Sequence, residues 1–229
     1  MAAAARRRLR PTPRSDDRGA GRRHPGPHRR RCHDEGVTVT SKRELRSKPR
    51  LIVNTGQGKG KSTAAFGIAL RSWAQGMSVG VFYFIKSKKW RSGERLAFDT
   101  LNRAHEADGV GGPIEWHTMG AGWTWRPQRT EVDHGELARE GWREVKDRLA
   151  QERHDLYVLD EFNHVLRHGW VDVAEFLEVV AARPGKQHIV TTGRGCPQPV
   201  IDAADLVTEM TKIKHPFDQG EPGQSGIEW

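Results

Sequence analysis

The segment that most constrains this fold is residues 55–62, Thr-Gly-Gln-Gly-Lys-Gly-Lys-Ser, which lies between a short apolar run and a helical pattern. Its alternating glycines let the backbone turn tightly and point N–H groups inward, where the positive end of the following helix favours an anion. Lys61 adds a positive charge, and Ser62 adds a hydroxyl of the kind that binds Mg²⁺. The usual pattern has glycine where this chain has Thr55. Residues 55–62, called the phosphate loop below, therefore predict a nucleotide phosphate site of a particular subtype.

Short apolar runs alternate with helical patterns along the rest of the chain, which is typical of βαβ units. The patterns predict strands at residues 51–54, 79–85, 114–117, 156–159, 187–191 and 205–208, and helices at 63–74, 132–151 and 171–182. The first helix repeats Phe66, Leu70 and Trp73 along one face. A loop-rich stretch is expected between the second and third strands. Because strands this apolar need cover on both faces, we expect an α/β fold with a mostly parallel sheet and helices on both faces.

Two acidic residues follow the fourth predicted strand, Asp160 and Glu161. The carboxyl ends of parallel strands are where α/β folds bind their ligands, so these carboxylates are expected near the phosphate loop. Carboxylate oxygens suit a metal ion that accompanies phosphates. Asp160 and Glu161 are thus the candidate metal ligands, together with Ser62.

Positive charge is concentrated at the start of the chain. The first 50 residues hold 16 of the 38 basic and 5 of the 29 acidic residues, so they carry +11 and the rest carries −2. Because the body lacks a basic surface, the net charge of +9 does not indicate nucleic-acid binding. We expect residues 1–36 to be a disordered basic extension, residues 37–50 a basic arm, and residues 51–229 a single P-loop domain.

The basic extension has three interpretations: a transit peptide, a basic tether, or sequence upstream of the true start. Its acidic residues and scarcity of serine count against a transit peptide. The third interpretation is favoured, with Val37 as a possible alternative initiator.

The two cysteines, Cys32 and Cys196, exclude a disulfide scaffold and a thiolate metal cluster, and a reducing cytoplasm is expected. Neither a membrane span nor a secretory signal is recognisable. His164 and His168 lie one helical turn apart but lack the glutamate of a zinc protease motif, and Cys196 lacks an activating base. Four tryptophans are assigned to packing: Trp73, Trp116, Trp142 and Trp170.

Taken together, these motifs resemble the ATP:corrinoid adenosyltransferase family of the P-loop, RecA-like type. The resemblance covers about residue 50 to the C-terminus and follows the family's order. Besides the phosphate loop, it rests on residues 63–67, 84–86, 93–94, 119–125, 159–161, 192–194, 204–210 and 214–217. Its most specific part is Met-Gly-Ala-Gly-Trp-Thr-Trp at 119–125, which a generic nucleotide-binding domain has no reason to contain.

The resemblance implies transfer of the 5′-deoxyadenosyl group of ATP to the cobalt(I) of a corrinoid, with release of triphosphate, in adenosylcobalamin biosynthesis. The corrinoid is left open between a complete cobalamin and cobyrinic acid a,c-diamide. The implied partners are ATP, the corrinoid, Mg²⁺ or Mn²⁺, a reduced flavoprotein as electron donor and a second copy in a homodimer, with no nucleic acid and no membrane.

The resemblance also implies roles for individual residues. Lys61, Trp123 and Trp125 are the expected catalytic residues, the two indoles displacing the lower axial ligand of cobalt. Trp123 departs from the family, which usually has phenylalanine there. The expected nucleotide-binding residues are Gly56, Gln57, Gly58, Lys59, Gly60, Lys61, Ser62, Thr63, Arg71 and Arg194.

Two other functions compete with this one. An ordinary P-loop ATPase would use Glu161 to activate water and would release ADP. A nucleic-acid-binding protein would use the basic extension, and its binding would depend steeply on salt.

Overall fold

The structure, a computed structural model, describes residues 41–42, 47–85, 92–120 and 133–228. Within these parts, six strands form one sheet in the order β3-β2-β4-β5-β1-β6, and all the paired strands are parallel. The strands are β1 Leu51–Thr55, β2 Val79–Tyr83, β3 Ile114–Thr118, β4 Leu156–Asp160, β5 His188–Thr192 and β6 Leu206–Glu209. The expected α/β fold with a parallel sheet is confirmed.

Six α-helices connect these strands in the described residues. They are α1 Lys61–Ala74, α2 Gly93–Asp108, α3 His134–Ala150, α4 Phe162–Arg167, α5 Val173–Ala182 and α6 Gln198–Ala203, followed by a 3₁₀ turn at Pro216–Gln219. Three of them begin at a side-chain cap, where the oxygen of Ser92, Asp133 or Asp172 accepts the N–H of the residue three positions on. These caps fix where α2, α3 and α5 begin.

The sheet separates two apolar layers. Side chains alternate along β2, so Val79, Val81 and Tyr83 pack on one face while Phe82 packs on the other. One layer receives Phe66 and Ala69 of α1 and Phe98 of α2. The opposite layer receives residues of α3, α4 and α5, among them Trp142, Phe162 and Phe176. Helices therefore cover both faces, as the apolar strands require.

The structure corrects three expectations. Residues 93–108, expected as part of a loop-rich stretch, form α2, in which the buried residue is Phe98. The short helices α4 and α6 were not predicted. Leu70 is 47% exposed and so lies off the buried face of α1, where Ala69 takes its place.

Helix length and composition also bear on membranes. In the described ranges, none of the helices combines the length and the apolar composition needed to cross a bilayer.

The fold also brings the carboxyl ends of β1, β4 and β5 together at one edge of the sheet. The phosphate loop follows β1 at this edge.

Candidate functional site

The phosphate loop joins β1 to α1 in the conformation that its glycines predict. Gly56 and Gly60 have φ angles of 96° and 103°, a region that residues with a side chain rarely adopt. A Cβ atom on Gly56 would lie 2.5 Å from the carbonyl oxygen of Met210, and one on Gly58 would lie 2.7 Å from that of Thr211. Glycine is therefore required at both positions, because the backbone after β6 lies directly against the loop.

The residues after β6 hold the loop in place. The Gly58 N–H donates to the Met210 carbonyl oxygen at 2.6 Å, and the Met210 N–H donates to the Thr55 carbonyl oxygen at 2.9 Å. Sequence reasoning matched residues 204–210 to a family pattern without giving Met210 a role. The structure shows that Met210 braces the phosphate loop through its backbone.

Lys61 is buried at the start of α1, with its Nζ donating to the Gly58 carbonyl oxygen at 2.5 Å. Burial lowers the pKa of Lys61, the charges of Glu161 and Asp160 raise it, and Arg194 and Lys59 lower it. Lys61 therefore lies close enough to both predicted acids and to Arg194 for their charges to act on its ammonium group. The ammonium group therefore has nearby carboxylates and lies beside the loop whose amides are expected to bind phosphate.

The two acids have different surroundings. Asp160 is fully buried and accepts the Thr192 hydroxyl at 2.8 Å, and the Glu161 N–H donates to the same hydroxyl oxygen at 2.9 Å. Glu161 has a φ of 62°, an unusual left-handed backbone for a residue with a side chain. Its Oε2 lies 3.1 Å from the His164 Nε2, yet within the described residues this buried oxygen has no hydrogen bond. The Glu161 carboxylate thus has an oxygen available for a cation.

Asn163 is a site residue that the sequence analysis missed. Its side chain is fully buried, and its Nδ2 donates to the carbonyl oxygens of Asn54, at 3.2 Å, and Gly193, at 3.0 Å. Asn54 in turn donates its Nδ2 to the Lys61 carbonyl oxygen at 3.2 Å. Asn163 therefore ties the ends of β1 and β5 to the start of α1. The signal in the sequence was a polar residue two positions after Glu161, in a segment that also contains Phe162, Val165 and Leu166.

The remaining residues expected at the nucleotide are more exposed. Ser62 is partly buried, whereas Gln57, Lys59, Thr63 and Arg194 are exposed at or near the loop. The Lys59 ammonium group forms an ion pair with the Glu228 carboxylate, and burial lowers its pKa.

Arg71 is exposed ten residues after Lys61, about 15 Å further along α1 at 1.5 Å per residue. That position is too distant for the phosphate loop itself. A role in holding another part of the nucleotide stays a prediction for Arg71.

Trp123 and Trp125 lie outside the described residues, so their role stays a prediction. The residues just before them are described. The Met119 N–H donates to the Tyr83 carbonyl oxygen at 2.7 Å, and a Cβ on Gly120 would lie 2.5 Å from the Phe84 carbonyl oxygen. The segment that leads to the two indoles therefore begins at the carboxyl ends of β2 and β3, on the edge that carries the phosphate loop.

Cys196 has no sign of activation in its surroundings. It follows the Gly193 turn, and burial raises the pKa of its thiol to about 12. A thiol with such a pKa is protonated at neutral pH and is a poor nucleophile. This agrees with the prediction that Cys196 is an ordinary loop thiol.

The family match and two similar sequences concern corrinoid adenosyltransferases. Residues 47–229 match the family described as ATP:corrinoid adenosyltransferase BtuR/CobO/CobP. The chain is 41% identical over 180 residues to a corrinoid adenosyltransferase of Sinorhizobium sp, covering 78% of this chain and 79% of that protein. It is 39% identical over 179 residues to the corrinoid adenosyltransferase CobA of Salmonella typhimurium, covering 78% and 85%. Among solved structures, the flagellar accessory protein FlaH of Methanocaldococcus jannaschii has a TM-score of 0.45 and 13% identity, covering 75% of this chain and 77% of that chain.

Proposed function

Because this chain belongs to the ATP:corrinoid adenosyltransferase family, and so transfers the adenosyl group of ATP to a corrinoid, we propose that its phosphate loop and Lys61 stabilise the departing triphosphate. The observation that carries this proposal is the meeting of Lys61, Asp160, Glu161 and Arg194 at one edge of the sheet.

The reaction sets the electrostatic task of the site. The electron pair of cobalt(I) forms a bond to C5′ of the ribose, the bond between C5′ and the triphosphate oxygen breaks, and that oxygen keeps its electron pair. No protein nucleophile is required. Negative charge grows on the triphosphate as it leaves, so positive groups fixed in advance lower the barrier. Lys61 and the loop amides supply them, and the exposed Arg194 guanidinium lies close enough to contribute.

A divalent cation, Mg²⁺ or Mn²⁺, fits the oxygen-rich end of the site. Ser62 offers a hydroxyl, and the Glu161 Oε2 is a buried oxygen with no hydrogen-bond partner in the parts of the chain that the structure describes, which is the kind of oxygen a hard cation binds. Asp160 would support these ligands without contacting the cation directly, because its carboxylate is fully buried and accepts a hydrogen bond from Thr192. When bound, the cation neutralises polyphosphate charge.

The corrinoid is expected to bind beside the ribose, at the edge where residues 119–120 begin the segment that contains Trp123 and Trp125. Two indoles against the lower face of the macrocycle would displace the axial ligand of cobalt(II) and make its reduction easier. Electrons are proposed to come from a reduced flavoprotein in the cytoplasm. A homodimer is proposed as the working state.

Product analysis under anaerobic conditions tests the overall proposal. The full chain would be incubated with ATP, Mg²⁺ and a panel of reduced corrinoids, including cobalamin and cobyrinic acid a,c-diamide. We expect triphosphate to appear only when a reduced corrinoid is present, in a 1:1 ratio with the adenosylated product. ADP formed at the same rate without corrinoid would favour the ATPase alternative instead.

The proposed role of Trp125 is tested separately. Trp125→Ala should retain more of the transfer to chemically prereduced cobalt(I) than of the coupled reaction that starts from cobalt(II), because ligand displacement matters only for the reduction. Trp125→Phe, which keeps an aromatic ring, serves as the matched control and should lose less of the coupled reaction. Equal losses in the two assays would remove the ligand-displacing role while leaving the proposed phosphate chemistry intact.

A further inference from the structure

A second cluster of ligating side chains lies toward the other end of the sheet. Glu115 and His117 are two residues apart on β3 and so share one face, and His154 lies two residues before β4 begins. A Cβ on Gly80 of β2 would collide with the His154 ring, so glycine there makes room for the imidazole. We call Glu115, His117 and His154 the β3 cluster. None of the three was assigned a role in the transfer reaction.

The donor atoms of the β3 cluster converge. The His117 Nε2 lies 3.4 Å from the Glu115 Oε2, and the His154 Nε2 lies 3.7 Å from the same oxygen. The three atoms all lie within 4.8 Å of one another. Ligands about 2.0–2.1 Å from a tetrahedral zinc ion are separated by about 3.3 Å. A small inward movement of His154 would therefore place all three atoms at bonding distance from a common point.

Both imidazoles carry a nitrogen without a partner. The His117 Nε2 and the His154 Nε2 are buried, and neither has a hydrogen bond within the described part of the chain. The His154 side chain is 3% exposed, so water does not replace the missing partner. A buried polar atom left unbonded costs about 1–3 kcal/mol, and natural proteins rarely leave two side by side.

A second carboxylate lies behind the His117 ring. The His117 Nδ1 lies 3.3 Å from the Glu144 Oε1, where it can donate its single proton. With its proton on Nδ1, the His117 Nε2 would present a lone pair toward the Glu115 carboxylate, and a cation between these two acceptors would bind both. A carboxylate behind a ligating histidine is the usual second partner in metal sites.

Two arginines also donate to Glu115, but in the described residues neither bonds to the Nε2 atom of His117 or His154. Arg148 donates to the Glu115 Oε2 at 2.9 Å, and Arg153 donates to the Glu115 Oε1 at 2.9 Å, which fixes the orientation of the carboxylate. Their two positive charges are balanced by Glu115 and Glu144. A site whose protein groups sum to zero charge still binds zinc when imidazoles are among its ligands, as in carbonic anhydrase.

We propose that Glu115, His117 and His154 form a binding site for one divalent transition-metal ion of the Zn²⁺ type. Two nitrogen ligands and one oxygen ligand suit such an ion and disfavour Mg²⁺, which prefers oxygen alone. The ion would join the edge strand β3 to the turn before β4. Glu115 and His154 lie toward the amino ends of β3 and β4, whereas the phosphate loop follows the carboxyl end of β1, so the proposed role of the ion is structural and separate from the adenosyl transfer.

Zinc titration of the full chain tests this proposal. After treatment with a chelator, the wild-type protein should bind Zn²⁺ by calorimetry and gain thermal stability as Zn²⁺ is added. His154→Ala and Glu115→Gln should each lower the affinity at least tenfold and abolish the thermal shift. His168→Ala removes an exposed imidazole and is the matched control, which should behave like the wild type.

Two further measurements keep the test decisive. If His154→Ala does not fold, His117→Gln is expected to lose the same binding, and visible absorption of bound Co²⁺ in the wild type reports nitrogen and oxygen ligands in a low-coordinate site. Equal Zn²⁺ affinity in the wild type and in the folded variants would overturn the proposal, as would transfer activity that requires the ion at this site.

Discussion

At the scale of single residues, we propose that Lys61 supplies positive charge that stabilises the leaving triphosphate. Lys61→Ala should lower kcat/KM for adenosyl transfer by about 30- to 1000-fold with every reduced corrinoid, corresponding to about 2–4 kcal/mol of transition-state stabilisation. Initial rates with prereduced cobalt(I) measure the loss. Lys186→Ala, in the exposed turn before β5, is the control and should change the rate little. Comparable losses in the two variants would contradict the role of Lys61.

Asn163 is expected to position the site through its two carbonyl partners. In Asn163→Asp, a carboxylate oxygen would replace the Nδ2 and face the carbonyl oxygens of Asn54 and Gly193. Transfer should fall by about 5- to 150-fold, equivalent to the 1–3 kcal/mol of an unmet buried hydrogen bond. Asn102→Asp is the control: it keeps its acceptor to the Ile114 N–H, loses its donor to the exposed Glu106 carboxylate, and should change the transfer rate little.

A double-mutant cycle separates positioning from a general loss of stability. If Asn163 acts by holding the Gly193 turn, Arg194→Ala should cost less in the Asn163→Ala background than in the wild type, because the turn is already displaced. Urea unfolding of each variant monitors stability in parallel. Fully additive losses would mean that Asn163 and Arg194 act independently.

Which residues could be predicted from the sequence depends on how local their chemistry is. Lys61 was recognisable because its loop is contiguous, and Asp160 and Glu161 because they end an apolar strand. Asn163 and Met210 were not, because their roles arise from bonds to Asn54, Gly193 and the loop backbone, which are distant along the chain. Trp123 and Trp125 were identified by resemblance alone.

At the scale of the element, the turn between β1 and α1 depends on contact with the backbone after β6. Gly56→Ala should abolish ATP use, because the added Cβ would lie 2.5 Å from the Met210 carbonyl oxygen and the φ of 96° is unfavourable for alanine. Gly67→Ala, in the interior of α1, meets no atom within 4 Å and should raise the free energy of unfolding by about 0.5–1 kcal/mol. Nucleotide binding and chemical denaturation of both variants check the contrast.

A strand could be predicted from the sequence where all of its residues are buried. The five residues of β2 and of β4 are all buried, and such apolar runs predicted these strands to within two residues. Helix α2 was missed because few of its side chains are apolar: Phe98 is its buried residue, Leu101 packs beside it, and most of the others are polar. Helices α4 and α6, at six residues each, are too short to show a period.

At the scale of the whole molecule, the net positive charge lies in the first 50 residues, ahead of the P-loop domain. Deleting residues 1–36 should leave kcat/KM for transfer and the free energy of unfolding unchanged, because the family match begins at residue 47 and the net positive charge lies before it. Transfer rates and urea unfolding of the shortened chain measure this. Loss of a tight, salt-sensitive interaction with nucleic acid, with nucleotide binding intact, would instead support the alternative that the basic extension binds nucleic acid.

The backbone bonds between Gly58, Thr55 and Met210 have a consequence for how the enzyme is made. Every residue expected to bind the nucleotide leaves the ribosome before residue 200. The phosphate loop nevertheless lacks its bonds to Met210 until β6 has paired with β1. A chain interrupted at residue 200 would carry the phosphate loop, Asp160, Glu161 and Arg194, yet it would lack the Met210 backbone that braces the loop, and we expect it not to bind ATP. The chain is therefore expected to become able to catalyse transfer only late in synthesis, once almost all of its secondary structure has been made.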